Sequence, residues 1–330
     1  MTLALELPAR QRVGPSGIAA RSTWRSRSPR TGHAEVDAHH GEIVQGVFAV
    51  GNGTFEHGLV TLPCPLFRTR ASFRPLPSGP LIVEPGDRYR ARTAARLTLA
   101  ALGRTTWGGS LRIASTVPLR WGCGSSTTDV LATIRAVAEA FGTVLRPEWI
   151  ASLCVAAENA SDSLMYGPAR TVLFAQRRGS VLADLGGPLP RAVVLGFNAD
   201  GESGIETLSL PPMPYSSWEM EAFGPMLGLL RRAIIQQDPA LLGSVATAST
   251  IITQRHRPKR LIPQILQLAD EIGALGVQVA HSGTVAGLLF DPRDVSDRLD
   301  AGRAGLARLG LHRSWVFSTR SRNDEGQSHG

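Results

Sequence analysis

Pro118-Leu119-Arg120-Trp121-Gly122-Cys123-Gly124-Ser125-Ser126-Thr127-Thr128-Asp129 is the stretch on which the reading of this chain turns. Leu111 to Ser115 ahead of it reads as a strand. Behind it, Val130, Ile134, Val137 and Phe141 recur at spacings of three and four, so a helix is predicted from Ser125 or Ser126 to about Phe141, stopped by Gly142. Two glycines let a backbone turn sharply and approach a ligand closely. The Ser-Ser-Thr run then sets hydroxyls and free N–H groups at a helix N-terminus, where a phosphate is the natural occupant. The run contains neither the Gly-Lys-Ser/Thr of a P-loop nor the Gly-x-Gly-x-x-Gly of a dinucleotide fold.

Strand-like runs and helices alternate outward from this point. Ile43–Val50, Gly58–Leu62, Ala71–Phe73 and Leu81–Val83 read as strands before the loop, with a helix over Ala91–Leu102. After it come a helix from Pro147 to about Ala157 and strands at Thr171–Gln176, Ser180–Asp184 and Ala192–Phe197. Ser216-Ser217-Trp218-Glu219 reads as a capping box opening a helix to about Gln237. Asp238-Pro239 caps another, to about Thr253. Pro263–Ile272 is helical, and Val277–Ala280 and Thr284–Phe290 are strands joined by a tight turn at His281-Ser282-Gly283. The pattern predicts an α/β or α+β protein.

Composition removes several function classes. The 330 residues are 43% hydrophobic, enough for a sizeable core. No run of eighteen apolar residues predicts a transmembrane helix, and the N-terminus carries no apolar signal core. Three widely spaced cysteines, Cys64, Cys123 and Cys154, suggest neither a zinc site nor a disulfide framework, and suit a cytoplasmic setting. The adjacent His39 and His40 are poorly spaced for one metal. The net charge is +8, but residues 1–30 hold six arginines against the single acid Glu6. The excess thus lies largely at the ends and does not point to a nucleic-acid binder. Lys259 is the only lysine, which suggests a position that needs a compact cation.

Pro-x-x-x-Gly-x-Gly-Ser-Ser resembles the phosphate-binding second motif of the GHMP kinases, matched here at Gly122, Cys123, Gly124, Ser125 and Ser126. Arg120, Trp121, Cys123, Thr127 and Thr128 depart from the residues usual there. Gly41-Glu42-Ile43-Val44-Gln45-Gly46 resembles the first motif of the L-threonine kinase branch, which serves cobalamin assembly. Ala280-His281-Ser282-Gly283-Thr284-Val285-Ala286-Gly287-Leu288-Leu289-Phe290 resembles that branch's third motif, a glycine turn near the active site. The likeness spans roughly residues 34–292.

This resemblance implies a two-lobed α+β fold: an N-terminal lobe over 34–190 with a mixed sheet and the ATP loop, and a ferredoxin-like C-terminal lobe over 191–312. Residues 1–33 and 313–330 are expected to lack order. It implies ATP and Mg²⁺ as cofactors and a small hydroxy amino acid as substrate. L-threonine comes first, with homoserine, serine or a specialised metabolite as alternatives.

The expected ATP-binding residues are Gly122, Cys123, Gly124, Ser125, Ser126 and Thr127. Magnesium takes a few hard oxygen ligands, for which Ser126 and Glu158 are candidates. Asp162 is the candidate to receive the hydroxyl proton, although the sequence leaves the roles of Glu158 and Asp162 interchangeable. Glu42 suits an ammonium. Gln45, His281, Ser282, Gly283, Thr284 and Lys259 complete the expected substrate contacts, and Arg255 is a second candidate for an anionic group.

Overall fold

The computed structural model describes residues 28–51, 53–200 and 213–320. Of the extension expected to lack order, residues 1–27 lie outside these. Residues 28–31 lead directly into the first strand. Arg30 is tied to the end of the loop's helix, its N–H donating to the Ala140 carbonyl at 3.1 Å.

Two sheets organise the chain. The first holds β1 (Gly32–Ala49), β2 (Phe55–Leu76), β3 (Leu81–Glu84), β4 (Gly108–Ser115), β5 (Thr171–Ala175) and β6 (Ser180–Gly186). Its order is β3-β4-β2-β5-β6, with β1 paired antiparallel to β2 and only β3–β4 parallel. Three helices accompany it: α1 (Tyr89–Ala101), α2 (Ser125–Ala140) and α3 (Pro147–Glu158). Phe73, Leu111, Leu131, Ile134 and Phe174 form the fully buried core between these layers.

The second sheet holds β7 (Val193–Asn198), β8 (Gly276–Val279), β9 (Val285–Phe290) and β10 (Ser314–Ser318), all antiparallel in the order β10-β7-β9-β8. Helices α4 (Ser217–Gln236), α5 (Pro239–His256) and α6 (Ile262–Glu271) lie between β7 and β8, and α7 (Ser296–Arg308) lies between β9 and β10. Fourth-first-third-second is the strand order of a split βαβ, or ferredoxin-like, unit. The fold is therefore α+β, as the motifs implied.

Two expectations are corrected. Residues from 313 were expected to be a tail, yet Trp315, Val316 and Phe317 supply the apolar pattern of a strand, and β10 pairs with β7 from Ser314 opposite Phe197 to Ser318 opposite Val193. The separate strands 58–62 and 71–73 are one strand of 22 residues, despite Pro63, Pro65 and Pro75. Pro75 lies past the end of the β1 pairing, opposite Gly109 of β4, and the β1–β2 ladder tolerates Pro63 and Pro65 through register shifts between Asp37 and Ala38, His39 and Glu42, and Glu42 and Val44. Such bulges bend a strand and re-aim its side chains. Here they turn His39 and Glu42 out of strict alternation, at the point where β1 passes from the first layer to the second. Beyond the bulges, Ile43, Val44 and Phe48 pack with Phe223, Leu230 and Val245 of α4 and α5.

Candidate active site

The loop before α2 forms the floor of an open cavity of ≈ 630 Å³. Gly122 and Gly124 both take positive φ, +87° and +71°, and Gly124 is the N-cap of α2. The first-turn amides of a helix have no intrahelical acceptor, so the start of α2 offers donors and a partial positive charge to the cavity. Gly122, Gly124, Ser125, Ser126 and Thr127 all line it. Cys123 does not: its side chain is buried among Ala38, Val117, Ala280 and Val285, and it serves the loop through its backbone.

Two carboxylates arrive from the far side. Glu158 is the last residue of α3, and the chain turns away at Asn159 with φ +66°. The Ser126 hydroxyl donates to Glu158 Oε2 at 2.6 Å and the Thr127 hydroxyl to Oε1 at 3.0 Å. Glu158 is 4% exposed. Burial, with the nearby Asp162 carboxylate, pushes its pKa up to about 7. Asp162 follows one turn-length later, on a segment pinned by the Ser161 N–H on the Gln176 carbonyl (2.9 Å) and the Ser163 hydroxyl on Thr61 (2.9 Å).

Asp162 Oδ2 accepts from His39 Nε2 at 2.8 Å and from the Thr127 hydroxyl at 3.3 Å. Burial would raise this carboxyl, but the His39 charge and hydrogen bond outweigh it and hold Asp162 below the usual carboxylate range. Among the described residues, Oδ1 takes no hydrogen bond. His39 responds in the opposite sense: burial opposes its charging, yet Asp162 lifts it to about 9.

The other sequence-derived residues divide into cavity wall and support. Glu42, Gln45 and Ser282 line the cavity. His281, Gly283, Thr284 and Lys259 do not, which corrects their expected role as substrate contacts. His281 is 1% exposed and grips Glu42, giving its backbone N–H (3.0 Å) and Nδ1 (3.2 Å) to Oε2, while its Nε2 meets the Ser249 hydroxyl at 3.1 Å. Gly283 packs against the backbone of Gly122, and the N–H groups of Thr284 and Val285 donate to the Trp121 carbonyl at 2.9 and 3.0 Å. The third motif thus holds the phosphate loop from behind. Lys259 is buried with Nζ on the Ala280 carbonyl at 2.8 Å, and burial lowers it to about 8. Arg255 pairs with Glu219 at 3.2 Å and stacks over Trp218, away from the cavity.

Sequence reasoning missed three cavity residues. Arg90 lines the wall and donates from Nη1 to the Ser126 hydroxyl at 3.1 Å. The available signal was Arg88, Arg90 and Arg92 at the start of α1, where cations oppose the helix dipole unless an anion is near. Arg257 also lines the wall, with Nη1 on the His281 carbonyl at 3.4 Å. His39 was set aside because only a metal role was weighed.

Asp129, at the base of the cavity, accepts from the Thr69 hydroxyl at 3.1 Å, and its Oδ2 lies 3.4 Å from Arg88 Nε. Burial raises it to about 6. Among the described residues, no cluster of three or more His, Cys, Asp or Glu side chains is arranged to hold a metal, and no helix is long and apolar enough to cross a membrane.

Comparison with known proteins agrees with this geometry. Residues 89–170, which include the loop and both carboxylates, match the model of the GHMP kinases N terminal domain. Over 290 residues the chain is 28% identical to an L-threonine kinase of Salmonella typhimurium, a match covering 86% of this chain and 90% of that protein. Over 183 residues it is 31% identical to an L-threonine kinase of Citrobacter freundii, covering 54% of this chain and 61% of the relative. Its fold is that of a homoserine kinase from Cytophaga hutchinsonii, with a TM-score of 0.60 at 15% identity over 92% of this chain and 97% of that one.

Proposed function

This chain belongs to the GHMP kinase superfamily, and from that premise we propose that it phosphorylates the hydroxyl of free L-threonine, giving O-phospho-L-threonine and ADP. The class of reaction is phosphoryl transfer to an alcohol. The observation that carries the assignment of roles is the meeting, in one cavity, of a helix N-terminus with two carboxylates held by different partners. Glu158 is bound to the loop hydroxyls, and Asp162 is bound to a cation.

That difference separates the two acids. Ser126 Oγ and Glu158 Oε2 form a pair of hard oxygens beside the phosphate-binding amides, and no Lys, Arg or His forms an ion pair with Glu158 among the described residues. Mg²⁺ suits this donor set, since it takes one or two protein oxygens together with phosphates and water. When bound, it neutralises charge on the ATP phosphate oxygens. Asp162, ionised by its histidine, takes the hydroxyl proton. As the substrate O–H bond breaks, its oxygen bonds to the γ-phosphorus, the bond to the β–γ bridging oxygen breaks, and ADP leaves. Arg90, which bonds Ser126, adds positive charge on the same side.

An α-amino acid carries an ammonium and a carboxylate. Glu42, with Oε2 occupied by His281, offers its other oxygen to the ammonium. Arg257, rather than Lys259 or Arg255, is placed on the cavity wall for the carboxylate. The curated relatives named L-threonine kinases support threonine over other alcohols. Homoserine or serine is the second reading, because the cavity is open and no wall residue singles out the threonine methyl. We also place the boundary between lobes near residue 190, between β6 and β7.

Incubation of the pure protein with Mg-ATP and threonine, serine, homoserine and small alcohols tests this. Faster ADP release with threonine than with the other acceptors is expected. Release with homoserine alone overturns the substrate, and no release with any acceptor overturns the kinase.

A further inference from the structure

We propose that His39 is a positioning residue of the transfer step: one imidazolium, wedged between the phosphate loop and Asp162, sets the spacing between them and holds the carboxylate in its ionised, proton-accepting form. The inference rests on the kinase reading and extends it to a residue outside the three sequence motifs.

The loop side of the wedge is a contact without slack. A methyl group built on Gly124 would lie 2.3 Å from both Cδ2 and Nε2 of His39, so the ring lies directly on the Gly124 backbone. The His39 N–H also reaches the Cys123 carbonyl at 3.4 Å. On the opposite side, Nε2 meets Asp162 Oδ2 at 2.8 Å. The ring is 3% exposed and the Asp162 side chain 18%. The loop and the base therefore touch the same five-membered ring.

The charge of that ring follows from its partners. Nδ1 faces the Gly41 carbonyl at 3.2 Å, and Nε2 faces a carboxylate. A carbonyl and an ionised carboxylate only accept, so both ring nitrogens carry hydrogen and the ring is a cation. The charged and titratable groups facing it are Asp162, Glu42 on the same strand, and His40 beside it. His40 is held neutral by burial and falls to about 4, so His39 is the cation of the pair. Without it, Asp162 keeps only the Thr127 hydroxyl on Oδ2 and loses the charge that offsets its burial.

The test is a double-mutant cycle of His39→Gln and Asp162→Asn. It is read as kcat, Mg-ATP affinity, the pH profile of kcat and the melting temperature. His39→Gln is expected to lower kcat by about 10² while Mg-ATP affinity stays within about threefold. It is also expected to move the acidic limb of the profile to higher pH, and to cost little further in the Asp162→Asn background. A parent-like kcat and acidic limb in His39→Gln overturns the proposal, as do losses that multiply in the double variant.

Nitrogen NMR of the His39 ring in the unmutated protein gives a second, activity-free reading. A ring protonated at pH 8, becoming neutral there in Asp162→Asn, is expected. A ring neutral at pH 8 in the parent overturns the proposal even if the variants fail to fold. Absence of turnover in the parent on every hydroxyl acceptor would instead sink the kinase reading, and the NMR result would still decide the charge of His39.

Discussion

Gly283 and Gly122 meet backbone to backbone: a methyl group added to Gly283 would lie 2.3 Å from the Gly122 Cα and from the Trp121 carbonyl oxygen. Backbone cannot yield as a flexible side chain does. Gly283→Ala is therefore expected to displace the phosphate loop and raise the KM for Mg-ATP tenfold or more, although Gly283 does not line the cavity. Steady-state kinetics check this. An unchanged KM would mean that the loop does not depend on the third motif.

Asp162→Asn keeps the volume of the side chain and removes its basicity. Turnover should fall by about 10² or more while Mg-ATP still binds, as expected of a proton-accepting group. Calorimetric titration with a nonhydrolysable ATP analogue, alongside turnover, separates the two effects. Retained turnover would remove Asp162 from the chemistry.

Glu158 gives a stability prediction whose sign is opposite to that of a paired acid. Its folded pKa of about 7 lies above the ordinary glutamate value of 4.5, so the native state binds more protons than the unfolded one between those values. Without Mg²⁺, stability should fall as pH rises through this window. Glu158→Gln removes the penalty and should be more stable than the parent at pH 8, by an amount on the order of 2 kcal/mol that vanishes below about pH 5. Urea unfolding at pH 5 and pH 8 measures it, and the same variant should need more Mg²⁺ for turnover.

The His39–Asp162 pair has a dependence of the same sign on the histidine side, in a more alkaline window. His39 is raised from 6.5 to about 9, so its contribution to stability is fully present below pH 6.5 and is lost as pH rises through about 9. Thermal melts of the parent should show an alkaline decline over that range. The decline should be absent in Asp162→Asn.

Trp315 stacks on Trp121 with ring centroids 5.7 Å apart and planes 20° from parallel, and the Trp121 carbonyl is the acceptor that binds the third motif. Trp315→Ala should cost about 2–3 kcal/mol, less than a fully buried tryptophan because the ring is only partly buried. It should also weaken Mg-ATP binding several-fold. Denaturant unfolding and ATP titration test both, and a loss of stability with unchanged ATP binding would restrict Trp315 to packing.

What was legible in the sequence was local. Gly122 and Gly124 ahead of Ser125 announce a turn and a helix start within a few residues, and the backbone geometry there is as their chemistry requires. Partnerships across the chain were not legible. His39 and Asp162 are 123 residues apart, and nothing near either names the other. Pro63 and Pro65 of β2 read as breaks because their accommodation depends on register shifts in the pairing with a distant strand. His281 and Thr284 were read as reaching toward substrate because polar residues in a glycine turn invite that reading. Only the fold reveals that Thr284 bonds the Trp121 carbonyl behind the loop, and that His281 grips Glu42 and Ser249. Lys259 was singled out by composition, and its ammonium proves to be spent on a main-chain carbonyl.

The bulged stretch of β1 sends His39 to the base and Glu42 to the far wall within four residues, so both are registered against the same backbone. A descendant of this protein that takes a different acceptor cannot remodel that strand without also disturbing proton transfer. Its freedom to change lies on the opposite bank, at Tyr215 and Arg257, which border the cavity but do not bond to the base. Diversification of substrate in this scaffold is thereby channelled toward the helical half of the chain, and directed libraries are best placed there.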